Sequence, residues 1–216
     1  MEAVDLRQLR MTSLPRPTRV VVSWGVGVAT LVVYLWGLVR PYNFFTLGLR
    51  PALTIRKFTI NDPLAQTRFI LTVAFLAGLY YLAWRLCRGQ QSRAMWIALF
   101  SIVLLVNLAM LALYPIDAAD VFDNIIRGRI TAVYDGNPFY DTPVQYQQDP
   151  FYRYAAWHQV PSAYGPFWEL LAAGTSRLAG DGIMANLLAF KSLGLLFYLG
   201  CISLITATLR RYAPER

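Results

Sequence analysis

Three carboxylates, Asp117, Asp120 and Asp123, follow one another at helical spacing where a long apolar run ends at Tyr114, shortly before the segment Gly136-Asn137-Pro138-Phe139-Tyr140. Acids are scarce, 12 in 216 residues. Asp117, Asp120, Asp123, Asp135, Asp141 and Asp149 nevertheless all fall in one loop bounded by apolar segments. A carboxylate at the aqueous edge of a membrane can take a hydroxyl proton as a bond forms, or hold a cation. General-base chemistry at a lipid–water boundary is therefore what these residues offer.

The element that must position them is a helix. From Ala118 to Thr131, Val121, Phe122, Ile125, Ile126 and Ile130 share one face, while Asp117, Asp120, Asp123 and Arg127 form a stripe on the other. The pattern predicts an amphipathic helix lying in the interface plane. Asp117 is placed as its N-cap, and Asp123 and Arg127, four apart, as an ion pair. In Asp135-Gly136-Asn137-Pro138 the expected structure is a tight turn, with Gly supplying a positive φ and Pro fixing the chain after it.

Composition sets the class of the whole chain. It is 56% hydrophobic, 14% aromatic and only 15% charged, with a mean hydropathy of +0.41, too little polar surface for a soluble domain of this length. An all-α, polytopic transmembrane bundle is expected, organised as one domain. A basic segment, 1–19, leads into three spans within 20–114, then the acidic loop 115–163, then two more spans within 164–209. The five spans are drawn at Val20 to Val39, Phe69 to Trp84, Met95 to Tyr114, Tyr164 to Leu178 and Ile183 to Leu209, each an apolar run matched to roughly 30 Å of hydrocarbon. The first follows Arg7, Arg10, Arg16 and Arg19 like a signal sequence, but it is long and lacks a small-residue cleavage site, which makes it an uncleaved anchor.

The net charge of +8 is spread over the ends of apolar segments, so membrane lipids rather than nucleic acid are the expected partners. With five spans, a cytoplasmic N-terminus puts Arg85, Arg88 and Arg93 inside and the acidic loop outside. It also leaves Arg40, Arg50, Arg56, Lys57, Arg68 and the tail arginines outside, so positive charge alone does not orient the chain. Cys87 and Cys201 sit in or beside apolar segments, far in sequence from the lone His158, which gives no zinc or haem pattern.

Taken in order, Asp120-Val121-Phe122, Gly128-Arg129, Gly136 to Tyr140, Tyr164 to Trp168 and Lys191 resemble the polyprenyl-phosphate-sugar-dependent membrane glycosyltransferases of the GT-C class, in particular the bacterial mannosyltransferase-like members. The resemblance runs from Tyr114 to the C-terminus, about half of the chain. It implies a multi-pass protein of a bacterial plasma membrane, with the N-terminus cytoplasmic and the acidic loop extracytoplasmic. It also implies transfer of a sugar from a polyprenyl-phosphate donor to an acceptor hydroxyl. Asp120 matches the acidic residue that in that class acts as general base or orients the acceptor hydroxyl, with Asp117 beside it. Arg127, Arg129, Asn137, Tyr164 and Lys191 are the implied substrate-binding residues, with Arg153 a further cation. A divalent cation, Mg or Mn, held by Asp117 and Asp120 is the second way to stabilise the departing phosphate.

Lys191 lies inside the last span, where an ionisable group is costly, so a function, an ion pair with a residue such as Glu169, or snorkelling to the interface is expected of it. Tyr164, Trp157 and Trp168 suit either sugar stacking or an aromatic belt. His158 is expected to pack within the loop. Enzymes of the class continue with further spans, so two readings stand: part of an enzyme completed by a second membrane chain, or a non-catalytic accessory subunit of a membrane complex. A small transporter is not favoured, since no span is broken by Gly and Pro flanked by polar residues.

Overall fold

A computed structural model describes residues 16–47, 60–87, 92–116 and 120–212. Six helices carry the fold: α1 Arg16–Tyr34, α2 Pro63–Cys87, α3 Arg93–Leu111, α4 Asp120–Tyr134, α5 Pro166–Ala179 and α6 Ile183–Tyr212. A π-helical stretch, Leu35–Val39, and a short turn, Arg40–Tyr42, prolong α1. Apart from one isolated bridge, Asn43 to Leu113, the described residues form no β-structure, and the all-α bundle expected from composition is what the chain builds.

Among the described residues four helices are long and apolar enough to cross a membrane: Thr18–Tyr42, α2, α3 and α6. The fourth expected span, Tyr164 to Leu178, is corrected. Its residues form α5, only 14 residues and about 21 Å long. Glu169 and Ser176 are buried on its inner face, and α5 packs against α4. Apolar content alone did not distinguish a short helix packed on protein from a span.

The spans alternate in direction. Phe44 N–H donates to the Ala112 carbonyl at 3.2 Å and Tyr114 N–H to the Tyr42 carbonyl at 2.8 Å, so α1 and α3 end together at the loop side. Capping fixes where α2 and α3 begin. Asp62 accepts the Ala65 N–H at 3.0 Å and Ser92 accepts that of Met95 at 3.2 Å, each satisfying a donor that the first helical turn leaves free. At the other end of the bundle the Arg210 guanidinium lies 5.7 Å from the Trp96 ring centre, which sets α6 antiparallel to α3.

Lys191 joins these two helices. Its Nζ donates to the carbonyls of Met110 at 2.8 Å and Leu111 at 2.9 Å, and also to that of Leu113. The cation therefore sits on the carbonyl end of α3, where helix carbonyls lack partners and the dipole is negative. The expected ion pair with Glu169 is not formed, because Glu169 accepts from the Ser162 hydroxyl instead.

Above this end lies a cap of protein. Phe122, Ile125 and Ile126 of α4 pack with Tyr114, Phe151, Tyr154, Ala172 and Leu187 in one buried cluster. Gly128 lets α4 and α5 approach backbone to backbone: a Cβ there would lie 2.5 Å from the Ala172 carbonyl oxygen and 2.9 Å from Ser176 Oγ. The helix expected at Ala118 to Thr131 is thus present as α4, but it does not lie free in the interface plane. Part of its polar stripe is covered as well, since Asp123 and Arg127 are 1% and 5% exposed beneath the loop 143–163.

Candidate functional site

The covering loop turns back over α4 because α4 supplies its hydrogen bonds. Asp123 Oδ1 accepts the N–H groups of Ala156 at 3.1 Å and Trp157 at 2.9 Å. Arg127 Nη2 donates to the Val160 carbonyl at 3.2 Å. The expected Asp123–Arg127 ion pair is accordingly replaced: both side chains reach across to loop backbone, and neither is within ion-pair distance of the other. Burial pushes the Asp123 carboxyl above the usual carboxylate range, against the pull of the Trp157 N–H and the Arg127 charge.

Between α4 and this loop opens a cleft of about 260 Å³, lined by Asp120, Asp123, Arg127, Trp157, Val160 and Tyr164 among others. Asp120, the first residue of α4, is exposed at its mouth. Trp157 and Tyr164 stand at its rim, 57% and 44% exposed. Arg127 lies deep in it with its Nε buried and unpartnered. Of the residues expected from sequence, Asp120, Arg127 and Tyr164 are brought together here, a carboxylate, a guanidinium and an aromatic ring around one small space.

The other expected residues are placed elsewhere. Arg129 is 2% exposed and fully engaged: Nε donates to Asp149 Oδ2 at 2.7 Å, Nη2 to Asp181 Oδ1 at 2.9 Å and Nη1 to the Gly180 carbonyl at 3.1 Å. It clasps α4 to the loop and to the α5–α6 turn, each of its three nitrogens donating to a protein acceptor, and it does not line the cleft. Asn137 is a turn residue, its Oδ1 accepting the Phe139 N–H at 3.0 Å and its own N–H donating to Asp141. Lys191 is the α3 cap already described. Arg153 is exposed and donates to the Tyr154 hydroxyl at 2.7 Å. His158 stacks on Tyr152 at 4.2 Å and pairs with its carbonyl, the packing role expected of it.

Asp117 lies outside the described residues, and with it the expected N-cap. Among the described residues no cluster of three His, Cys, Asp or Glu side chains is arranged to hold a metal. Asp120 is the one carboxylate of the cleft that is not already accepting loop N–H groups, so the described residues do not compose a divalent-cation cage.

The turn after α4 is also corrected. The positive φ falls on Asp135, at 54°, and not on Gly136. Gly136 is needed for space instead, because a Cβ there would meet the Tyr146 hydroxyl at 2.4 Å and Asp141 Oδ2 at 2.7 Å.

Two residues that sequence reasoning left out of the site frame it. Asn124 accepts from Trp168 Nε1 at 3.0 Å, fixing α5 beside the cleft. Glu169, 5% exposed, keeps one carboxyl oxygen buried and unpartnered, and burial pushes its pKa up against the Ser162 hydroxyl and the Arg127 charge. A carboxyl interrupting an apolar stretch was the one signal available for it. Because its folded pKa is raised, the stability it contributes is present below the unfolded carboxylate value of about 4.3 and is lost as pH rises through the folded value. Glu169→Gln is expected to be less pH-sensitive. Its unfolding midpoint should gain on the unsubstituted protein between pH 4 and pH 8, and a gap that stays constant or narrows would contradict this.

The family described as Alpha-(1->6)-mannopyranosyltransferase, N-terminal domain, matches residues 46–214, which hold α2 to α6. Comparisons with curated proteins and with solved structures find no match. The match spans most of the chain and includes the cleft, the Arg129 clasp and the Lys191 cap. The chain therefore belongs to this family of membrane mannosyltransferases, carrying its N-terminal domain.

Proposed function

We propose that the cleft at Asp120 binds a polyprenyl-phosphate sugar at the lipid–water boundary and takes part in transferring the sugar, a mannosyl group, to an acceptor hydroxyl. The observation that carries this reading is the meeting of an exposed carboxylate, a buried guanidinium with an unpartnered Nε and two exposed aromatic rings in one space. In the step, the acceptor oxygen attacks the anomeric carbon, the bond from that carbon to the phosphate oxygen breaks, and Asp120 takes the hydroxyl proton. Arg127 supplies positive charge to the departing phosphate from a site largely shut off from water, where that charge acts most strongly. Trp157 and Tyr164 offer apolar faces to the sugar ring.

The aromatic pair tests this directly. Trp157→Ala combined with Tyr164→Ala should raise KM for the lipid-linked sugar about 10-fold and change kcat by no more than about twofold, because stacking on the ring stabilises bound substrate and transition state alike. An unchanged KM would remove the cleft from substrate binding.

A second reading, an accessory subunit of a membrane complex, is favoured by one finding. Arg129, Asn137 and Lys191, all expected at substrate, are committed to internal hydrogen bonds.

We further place the N-terminus in the cytoplasm and the loop outside, in a bacterial plasma membrane. With four spans instead of five, Arg210 and Arg211 return to the end that holds Arg19, Arg85 and Arg93, and no described acid lies there. All the described acids, from Asp62 to Asp181, lie at the loop end. The tail thereby adds positive charge to the N-terminal side, which supports this orientation, while Arg40 and Arg68 stay at the loop end. In a chain with Cys87 and Cys201 replaced, Tyr140→Cys, at a position 80% exposed, should react with an impermeant thiol reagent added outside intact cells. Labelling only after the membrane is opened would reverse the assignment.

A further inference from the structure

The first span does not stay α-helical. Its π-helical stretch, Leu35–Val39, falls where α1 meets the first half of α2, and such insertions widen a helix at places that bind something more often than elsewhere. Here the two helices come close: a Cβ on Gly37 would lie 2.4 Å from Thr72 Cγ2. Above this floor the helices part into an open groove of about 1020 Å³ whose walls include Val33, Trp36, Leu71 and Phe75. Lining residues on α2 run from Leu64 to Phe75, a rise of about 16 Å, which is half of the roughly 30 Å hydrocarbon core.

Charge gathers at the loop end of this apolar groove. Arg68 lines it directly, and the Arg40 guanidinium lies 4.1 Å from the centre of the Trp36 ring. Both arginines are exposed, and among the described residues neither pairs with a carboxylate. A guanidinium stacked on an interfacial Trp, with a second beside an apolar trough, is the chemistry that holds a phosphate head group at the membrane surface with its chain below.

We propose that this groove binds one anionic phospholipid of the loop-side leaflet, an acyl chain lying along Leu71 and Phe75 and the phosphate held by Arg40 and Arg68. Charge selects this occupant: two exposed guanidiniums beside an apolar trough favour an anionic head group over a zwitterionic one. The site is separate from the cleft at Asp120 and does not depend on the reading of that cleft.

Native mass spectrometry of the full chain in detergent, titrated with phosphatidylglycerol, phosphatidylcholine or undecaprenyl phosphate, tests the proposal. One phosphatidylglycerol per chain should bind about 10-fold more tightly than phosphatidylcholine. Arg40→Gln with Arg68→Gln, both at exposed side chains, should erase that preference, and Ala74→Phe, which fills the trough, should weaken both phospholipids. Equal binding of the two phospholipids, or a preference that survives the double Gln change, would overturn it. So would undecaprenyl phosphate displacing phosphatidylglycerol at lower concentration, which would hand the groove to an isoprenoid carrier.

Discussion

Asp120→Asn is expected to lower the rate of sugar transfer by about 10²–10⁴ while the protein still inserts and folds. The exchange keeps size and hydrogen bonding but removes the proton acceptor. Asp120 is exposed at the first turn of α4 and is not among the residues whose burial holds the loop down, so its loss leaves the cap intact. Purified chain should keep its helicity and its unfolding midpoint while transfer in reconstituted membranes falls. An accessory subunit behaves differently. In it Asp120→Asn is silent, whereas enlarging Gly194 on α6, where an added Cβ meets nothing within 4 Å in this chain, disturbs packing against a partner. Transfer that survives Asp120→Asn, together with loss of assembly in Gly194→Leu, would end the enzyme reading.

Arg129→Met is expected to have the largest effect on stability, about 3–5 kcal/mol, because it strands a buried carboxylate. Asp149 accepts from Arg129, from the Tyr134 hydroxyl at 3.0 Å and from the Phe151 N–H at 2.8 Å. The guanidinium also lies 5.0 Å from the Phe151 ring centre. Without it, the α4 helix, the 3₁₀ loop and the α5–α6 turn lose their common link. Pairing the change with Asp149→Asn should recover part of the loss, since the stranded charge is then gone. Equilibrium unfolding of the single and the paired variant in detergent measures this. A loss below about 1 kcal/mol for Arg129→Met would show that the clasp is dispensable.

These two residues illustrate how far the sequence could be read. Asp120 and Arg129 both stood out through spacing within one motif, yet the first faces the cleft and the second is locked inside the cap. Spacing along α4 reports the face of the helix; it does not report what folds over that face. The partners of Arg129, at Asp149 and Asp181, lie 20 and 52 residues away and carry no local pattern. Spans were legible at α1, α2, α3 and α6, where the apolar runs drawn from sequence are 16 residues or longer. At α5 one face is covered by protein, and the interruptions at Glu169, Gly174 and Arg177 marked the run as a weak span. Glycines misled for a related reason. Gly136 was read as a conformational residue, but the left-handed position is Asp135 and the glycine makes room for Tyr146 and Asp141. Crowding of that kind belongs to the tertiary structure. Lys191 was correctly singled out as costly in an apolar helix, and its partners proved to be carbonyls, which no side-chain pattern announces.

The central claim is that the cleft between α4 and the loop receives the lipid-linked sugar, and photocrosslinking tests it most directly. A benzophenone side chain placed at Val160, in the cleft and 44% exposed, is irradiated in membranes with radiolabelled polyprenyl-phosphate mannose. The same group at Leu178, 92% exposed on α5 and outside the cleft, serves as control. Label at position 160 that unlabelled polyprenyl phosphate suppresses, with little at 178, is the predicted result; equal labelling of the two positions, or none at 160, would contradict the account.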